Sequence, residues 1–297
     1  MSVRLEEHGL SARIVPISRL DDLRQGFDGL IQQGLIDEGL NQEYLKRFVY
    51  RPPEGFSGAM SVIVMASRMP AIRFSFIKNE VKIPVYIPPT YIHGARYDRK
   101  AQDTLAELLT PYKVTPAVLP KKLLAVRSGL AAYGRNNITY IEGLGSCYWL
   151  SAFYTDMPCA EEGTWREPTM MESCNDCSIC RDNCPTGAIV ENRFLLHAER
   201  CIVFHNEMPG NVPFPSWMDE TWHNSLVGCL YCQEYCPENK GMIDIVDGAE
   251  FSREETELLL AGTPEDKLPA PLVKKLEECD LLSILDIIPR NLTPLLH

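Results

Sequence analysis

Cys174-Asn-Asp-Cys177-Ser-Ile-Cys180-Arg-Asp-Asn-Cys184-Pro185 is the most informative segment of this 297-residue chain, and Cys229-Leu-Tyr-Cys232-Gln-Glu-Tyr-Cys236-Pro237 repeats its pattern with one cysteine fewer. Three cysteines two residues apart, with a fourth before a proline, are the spacing with which bacterial ferredoxins hold [4Fe–4S] clusters. In that arrangement the fourth cysteine of each run reaches the other cluster. The two runs therefore predict a ferredoxin-like segment with two [4Fe–4S] clusters.

Counting cysteines under this crossing rule predicts two complete ligand sets. Cluster A is expected to be bound by Cys174, Cys177, Cys180 and Cys236. Cluster B is expected to be bound by Cys184, Cys201, Cys229 and Cys232, with Cys201 included because it is the remaining cysteine between the runs. Cys147, Cys159 and Cys279 are left over and are interpreted as small apolar residues. A pair of four-cysteine zinc sites is the alternative, although zinc sites usually pair two separated Cys-x2-Cys knuckles.

Composition indicates a soluble globular protein with no membrane span. Apolar residues make up 45% of the chain and charged residues 23%, and no run of 18 apolar residues occurs. The start of the chain, Met1–His8, lacks the apolar core of a signal peptide. We therefore expect a cytoplasmic protein, in which cysteines more often bind metal than form disulfides.

The net charge of −11, from 29 basic and 40 acidic residues, gives no overall support for nucleic-acid binding. The nearest approaches to a basic patch are Lys121-Lys122 and the group Arg96, Arg99 and Lys100. Nucleic acid is therefore an unlikely partner on charge alone.

Periodicity predicts an α/β (α+β) N-terminal domain over residues 1–165, the ferredoxin-like domain over 166–245 and a short helical tail over 246–297. Helices are expected at Leu20–Leu35, Arg99–Leu109 and Lys121–Tyr133, and strands at Ser61–Ala66, Val81–Ile87, Ile138–Ile141 and Tyr148–Tyr154. Pro84 places the second strand at a sheet edge. In the tail, Ser252 and Glu255 form a capping-box pattern, Gly262 ends the first helix, and a second helix runs from Pro271 to Leu285.

Three blocks ahead of the cysteines resemble the epoxyqueuosine reductases. They are Leu123-Leu-Ala-Val-Arg-Ser-Gly129-Leu-Ala-Ala-Tyr133-Gly-Arg-Asn-Asn137-Ile138, Gly145-Ser-Cys-Tyr-Trp-Leu150 and Thr155-Asp156. Epoxyqueuosine reductases and the related reductive dehalogenases are cobalamin-dependent iron–sulfur proteins. The resemblance covers roughly residues 85–240, and its block order is specific.

The resemblance implies cobalamin in the α/β domain, with one cluster close to it and electrons supplied by a low-potential donor such as a ferredoxin or flavodoxin. It also implies that two loops contact the corrin, and the residues expected there are Gly129, Gly134, Arg135, Asn136, Asn137, Gly145 and Ser146. Tyr97 and Tyr133 are the candidate proton donors. His93, near Tyr97, is more simply a structural histidine.

Two departures from the family pattern bear on the substrate. Without gaps, the position of the family's proton-donating aspartate falls on Thr115, and residues 114–122 contain no acid. A threonine hydroxyl is a poor general acid near neutral pH. The chain also ends about 60 residues after Cys236, where the tRNA enzymes continue into a helical-repeat domain. Together with the acidic charge, these departures favour a substrate other than tRNA.

Three functions follow as hypotheses. The first is a cobalamin-dependent reductase, an oxidoreductase acting on a small non-tRNA substrate through the two clusters. The second is an electron-transfer protein that reduces the corrinoid of a partner protein, which would need no proton donor. The third, given the least weight, is epoxyqueuosine reduction in tRNA modification.

Overall fold

The computed structural model describes residues 10–43, 45–159, 165–191 and 193–296, so Met1–His8 lie outside it. The strands are β1 (Leu10–Pro16), β2 (Ser61–Arg68), β3 (Ala71–Lys78), β4 (Val81–Ile87), β5 (Val114–Pro116), β6 (Ala132–Tyr133), β7 (Thr139–Tyr140), β8 (Tyr148–Thr155) and β9 (Ile245–Phe251). The α-helices are α1 (Arg19–Gln32), α2 (Glu38–Glu43), α3 (Gly94–Leu108), α4 (Lys121–Arg127), α5 (Ile179–Asp182), α6 (Ile202–Asn206), α7 (Tyr231–Glu234), α8 (Arg253–Leu260), α9 (Ala270–Glu278) and α10 (Ile288–Leu292). Short 3-10 turns connect several of them.

A four-stranded antiparallel sheet in the order β1-β2-β8-β5 forms the centre of the N-terminal region. Successive side chains of a strand point to opposite faces, and β2 is apolar on both. Val62 and Val64 pack with α1 and α4, whereas Ile63 and Met65 pack with α3. The sheet is therefore covered by helices on both faces, and this explains why β2 reads as a continuous apolar run.

A second sheet in the order β4-β3-β9 joins the N-terminal region to the tail. Asn79 and Glu80, both at positive φ, connect β3 to β4 in a tight hairpin. Strand β9 pairs in parallel with β3 from the other side. Phe251 of β9 stacks on Phe76 of β3 at 4.7 Å between ring centroids, and this face packs against apolar residues of α8, α9 and α10.

The cysteine-rich segment follows β8 and precedes β9 in the chain, and it is built from turns and the short helices α5, α6 and α7. The tail holds it in place through Asn291, whose buried side-chain amide donates to the carbonyl oxygens of Asn206 at 2.8 Å and of Leu226 at 2.9 Å. The tail therefore supports the cysteine loops as well as β3.

Most of the predicted elements are present. The fold class is confirmed, and the first helix and the strands at 61, 81 and 148 agree with α1, β2, β4 and β8 to within a few residues. Strand β4 lies at a sheet edge, as Pro84 predicted. The capping box of Ser252 and Glu255 is formed, and Gly262 ends that helix at a φ of 65°.

Three expectations need correction. The helix predicted to reach Tyr133 ends at Arg127, because Gly129 adopts a φ of 73° and turns the chain into β6. The tail is helical only from Arg253, since residues 245–251 form β9 through pairing with β3. The last predicted helix stops at Glu278, followed by Asp280 at a φ of 57°.

No helix within the described ranges is both long and apolar enough to cross a bilayer.

The stacking of Phe251 on Phe76 gives a test of the link between tail and sheet. Phe251→Ala should lower the free energy of unfolding by about 3–5 kcal/mol, because it leaves a cavity in a fully buried site. Val246→Ala, at a position of the same strand that is 44% exposed, should change it by less than about 0.5 kcal/mol. Urea unfolding of the anaerobic protein measures both, and equal losses would contradict the described pairing.

Candidate iron–sulfur centre and adjoining recess

The cysteines of the two runs interact electrostatically in two groups. The charges of Cys177 and Cys236 raise the pKa of the Cys174 thiol. The charges of Cys174, Cys177 and Cys236 raise the pKa of the Cys180 thiol. In the other group, the charges of Cys184 and Cys201 raise the pKa values of the Cys229 and Cys232 thiols. Cys180 also acts on Cys232 across the groups. The groups are neighbours, and the assignment of their cysteines to two cluster ligand sets stays a prediction.

Burial opposes ionisation of these thiols. It raises the pKa of Cys180 to about 11 and that of Cys229 to about 12, and it also raises the pKa values of Cys174, Cys201 and Cys232. Neighbouring cysteines add to the rise in each case. A buried thiol becomes a thiolate readily when it binds a metal, whose positive charge replaces the lost water. The donor set therefore fits a thiolate-bound iron–sulfur group.

In the described part of the chain, no three Cys, His, Asp or Glu side chains lie close enough together to hold one metal ion. A four-iron cube is larger than a single ion and is held by thiolates that lie further apart.

Arg135 and Asn136 hold the two cysteine runs from the side of β6 and β7. The Arg135 guanidinium donates to the carbonyl oxygens of Cys174 at 2.6 Å and Cys177 at 2.9 Å. The buried Asn136 amide donates to the carbonyl oxygen of Cys232 at 2.9 Å and to the Tyr140 hydroxyl at 2.8 Å. These two residues thus orient loops of both cysteine groups.

Ser146 is joined to the second run through Asn239 and Gln233. The Ser146 backbone N–H donates to Asn239 Oδ1 at 2.7 Å, and its hydroxyl donates to Gln233 Oε1 at 2.8 Å. Gly145 adopts a φ of 57°, and a side chain there would overlap Asn239. The loop therefore needs glycine in order to approach the segment that follows Cys236.

These contacts show where the predicted cofactor-binding residues lie. Arg135, Asn136, Gly145 and Ser146 contact the cysteine loops, and Gly129 ends α4. Gly134 packs against the Tyr140 ring, without room for a side chain. Asn137 differs, because its buried amide nitrogen has no hydrogen-bond partner among the described residues and remains available to a bound group. Cofactor contact by this set stays a prediction.

The candidate proton donors lie in different surroundings. Tyr133 is buried in β6 with its ring edge-on to Phe194 at 5.1 Å, and burial raises the pKa of its hydroxyl. Tyr97 is half-buried in α3, and burial raises its pKa as well. His93 contacts Asp280 at 2.6 Å, which supports its interpretation as a structural residue. Thr115 lies in β5 opposite Tyr154.

A polar cluster that the sequence did not predict surrounds Asp98 of α3. One carboxylate oxygen of Asp98 accepts hydrogen bonds from Trp149 Nε1 at 2.8 Å and from the buried Ser151 hydroxyl at 2.5 Å. Lys121 Nζ lies 3.7 Å from the same oxygen and 4.8 Å from the centre of the Trp149 ring. Asp98 therefore brings the start of α4 against α3. The one feature of the sequence that could have indicated Asp98 is its position directly after the candidate proton donor Tyr97.

Lys122 of α4 and Glu207, which follows α6, lie beside the second cysteine group. Lys122 and Glu207 have solvent-accessible side chains, yet surrounding protein lowers the pKa of Lys122 and raises that of Glu207 to about 7. The two side chains influence each other's charge, and we call the space between them the recess. Tyr91 also lies beside the second cysteine group. The pKa of its hydroxyl is raised by burial and by the charges of Glu207, Cys201, Cys229 and Cys232.

Hydrogen bonds connect the wall of this recess to the cysteine loop. The side chain of Asn206 donates to the Gly228 carbonyl oxygen at 2.7 Å and accepts from the Gly228 N–H at 3.2 Å. Gly228, at a φ of 84°, lies flat against the Tyr91 ring. This arrangement places Glu207, Tyr91 and Cys229 around one space. No local sequence pattern indicates Tyr91 or Glu207, because their partners are distant in the chain.

Comparison with known proteins identifies a family described as "4Fe-4S double cluster binding domain" over residues 173–239. The Staphylococcus aureus epoxyqueuosine reductase is 34% identical over 132 residues, covering 43% of this chain and 32% of the relative. The epoxyqueuosine reductase of Cyclobacterium marinum is 27% identical over 229 residues, covering 69% of each.

A solved epoxyqueuosine reductase, crystallised with a tRNA-Tyr epoxyqueuosine-modified tRNA stem loop, shares the fold. Its TM-score is 0.64 at 21% identity, over 99% of this chain and 79% of that protein. Together these similarities confirm the predicted resemblance. The chain spans about a third of the length of the Staphylococcus relative.

The comparisons disfavour two expectations from the sequence. The relatives are epoxyqueuosine reductases, and a solved one was crystallised with a tRNA stem loop, so the expectations of a non-tRNA substrate and of no nucleic-acid partner are not supported. Net charge is a weak guide to this question because it averages over the whole surface, whereas phosphate binding depends on a local patch.

Cys201 provides the sharpest test of the second cysteine group. Cys201→Ala should reduce the iron content of anaerobically reconstituted protein from about eight to about four atoms per chain, since one four-iron cluster loses a ligand. Cys147→Ala removes a buried thiol outside both groups and should leave the iron content unchanged. Iron analysis with a sulfide assay measures both variants. An unchanged count in Cys201→Ala would place the fourth ligand elsewhere.

Proposed function

We propose, from the place of this chain in an epoxyqueuosine reductase-like family of iron–sulfur proteins, that it is an oxidoreductase that reduces a modified nucleoside of tRNA. The observation that carries the proposal is the position of the second cysteine group on one side of a polar recess. Electrons reaching that group would arrive next to any substrate or cofactor held in the recess.

The cluster ligands are assigned in two crossed sets. Cys174, Cys177, Cys180 and Cys236 bind cluster A, and Cys184, Cys201, Cys229 and Cys232 bind cluster B. The mutual charge interactions of the thiols support both sets. When bound, the clusters supply single electrons at low potential. The interaction of Cys180 with Cys232 supports transfer between adjacent centres.

Cobalamin is proposed for the recess, where it would supply a strongly reducing low-valent cobalt. Two features of the chain fit a bound group. Lys122 and Glu207 influence each other's charge but form no ion pair within 4 Å in the described part of the chain. The Asn137 amide nitrogen is buried without an acceptor. Lys122, Tyr91 and Asn137 are the residues proposed to contact the cofactor.

A basic surface near the recess supports a tRNA substrate. The contact of Lys121 with Asp98 brings the start of α4 to α3, which carries Arg96, Arg99 and Lys100 as exposed side chains. We propose that Arg99, Lys100 and Lys121 form one basic patch there, whereas Arg96 already pairs with Asp280. Such a patch can neutralise phosphates even in a chain of net charge −11.

Turnover tests the proposal directly. Anaerobically reconstituted protein with cob(II)alamin and a low-potential reductant should convert an epoxyqueuosine-containing tRNA stem loop to queuosine. Cobalamin uptake should appear as a change in the cobalt absorbance. Uptake without conversion would contradict the substrate assignment, and reduction of an added cob(II)alamin protein in its place would favour the corrinoid-activator alternative. Absence of uptake would contradict the cofactor.

The basic patch makes a separate prediction about binding. The double variant Arg99→Ala/Lys100→Ala should weaken stem-loop binding at low salt and reduce the slope of log K against log salt by about 2, one for each lost phosphate contact. Lys267→Ala/Lys274→Ala removes two exposed lysines from the tail and should leave the slope unchanged. Fluorescence anisotropy at several salt concentrations measures both. Equal slopes in all three proteins would show that the patch does not bind phosphate.

A further inference from the structure

We propose that the surface over the first cysteine group is the docking site of the electron donor, a low-potential redox protein with basic residues around its exposed redox centre. The first group consists of Cys174, Cys177, Cys180 and Cys236. The inference rests on the proposed reductase function, in which the second group adjoins the recess, so that the first group receives electrons from outside. The proposed function specifies neither a docking surface nor the charge of the donor.

The first cysteine group lies nearer the molecular surface than the second. Little of Cys174 or Cys180 is accessible to water, but less protein surrounds their thiols than surrounds the deepest thiols of the second group, which are those of Cys201, Cys229 and Cys232. Cys180 and Cys232 interact across the groups. An electron accepted at the outer group can therefore pass to the inner one.

Two exposed apolar side chains mark the centre of the proposed surface. Ile179 is the first residue of α5, directly before Cys180, and is 36% exposed. Tyr235 directly follows α7, just before Cys236, and is 54% exposed. Helices α5 and α7 pack against each other, so both side chains belong to the outside of one helix pair. An exposed tyrosine with polar surroundings is typical of the centre of a protein interface.

Acidic side chains surround this centre. Four exposed carboxylates lie one or two positions from a cysteine of the first group, and they are those of Glu172, Asp176, Glu234 and Glu238. Among the residues that the structure describes, none of the four forms an ion pair within 4 Å. Their charges are therefore available to a partner.

The basic residues of the same region do not cancel this charge. Arg181 already pairs with Asp182 at 3.1 Å and with Glu191 at 3.2 Å. The Arg135 guanidinium is occupied by backbone carbonyl oxygens. Exposed Lys240 is left against the four carboxylates. The surface is negative, and it complements a donor with lysines and arginines around its redox centre.

The electron step changes no bond. The reduced centre of the donor loses one electron, which passes to the outer group and then to the inner one, and no proton or leaving group moves. A contact of small area that forms and separates quickly is usual for redox partners, and two apolar side chains within a charged rim fit such a contact.

Cross-linking locates the surface directly. Mitochondrial cytochrome c, whose exposed haem edge is ringed by lysines, serves as the basic probe, and a carbodiimide joins a carboxylate to a lysine that touches it. Mass spectrometry of the anaerobically reconstituted protein should find the cross-links at Asp176, Glu234 and Glu238. Cross-links confined to other carboxylates, such as Asp219 and Glu220 close to the exposed Trp217, would overturn the proposal.

Electron transfer to the same probe tests the charge of the surface. Stopped-flow absorbance measures the rate at which the reduced protein reduces ferricytochrome c. Asp176→Lys/Glu238→Lys should slow it about 10-fold or more at low ionic strength, and the difference should fade as salt screens the charges. Glu265→Lys/Asp266→Lys makes the same change in net charge on the exposed tail and should have little effect. Equal rates in the two double variants would show that overall charge, not this surface, attracts the probe.

Tyr235→Ala tests the apolar centre. It should slow the reaction about 5- to 10-fold at every ionic strength, because salt does not screen an apolar contact. Trp217→Ala removes another exposed aromatic ring of the cysteine-rich segment, one that is 46% exposed, and should leave the rate unchanged. A loss in Trp217→Ala alone would move the docking site to that face. Iron analysis confirms that each variant carries its clusters, and the wild-type cross-links decide the question if one does not.

These measurements need neither tRNA nor cobalamin. A protein that fails to convert the stem loop would therefore contradict the proposed function without altering them. A protein that converts the stem loop, but whose reaction with the probe depends on neither Tyr235 nor the four carboxylates, would overturn the docking surface alone.

Discussion

The burial of thiols in two interleaved cysteine groups is the constraint on which the rest of this structure depends. Burial removes solvation from five of these thiols, those of Cys174, Cys180, Cys201, Cys229 and Cys232. Neighbouring thiols make ionisation still less favourable, as the raised pKa values of Cys180 and Cys229 show. Only a strong positive charge compensates for several buried thiolates in one place. Because each group draws cysteines from both runs, binding in one group fixes the path of the chain in the other.

The surrounding fold can be understood as support for these loops. Arg135 and Asn136 hold backbone carbonyls of both runs, Ser146 holds Asn239, and Asn291 of the tail holds the segment that carries Asn206 and Leu226. These contacts come from two distant parts of the chain, residues 135–146 and the tail. They fix the path of a segment with little regular structure.

The extent to which sequence predicted the structure differs between elements. Strand β2 and the Ser252 capping box depend on local patterns, and both are present. Strand β9 was missed because Asp247 and Gly248 are weak strand formers, and only pairing with β3 makes the segment extended. Cysteine spacing predicted the two groups because ligand geometry is encoded locally. Tyr91, Asp98 and Glu207 were not identified because their partners lie far away in the chain. The preference against tRNA rested in part on net charge, which does not report a local patch, and the comparisons disfavour it.

The central claim is that the two cysteine groups hold two adjacent four-iron clusters. The EPR spectrum of the fully reduced, anaerobically prepared protein tests it most directly, together with an analysis of bound metal. The close approach of Cys180 to the second group predicts about eight irons per chain and a broadened signal from two spin-coupled clusters. A zinc-containing protein that shows no signal on reduction would contradict the account.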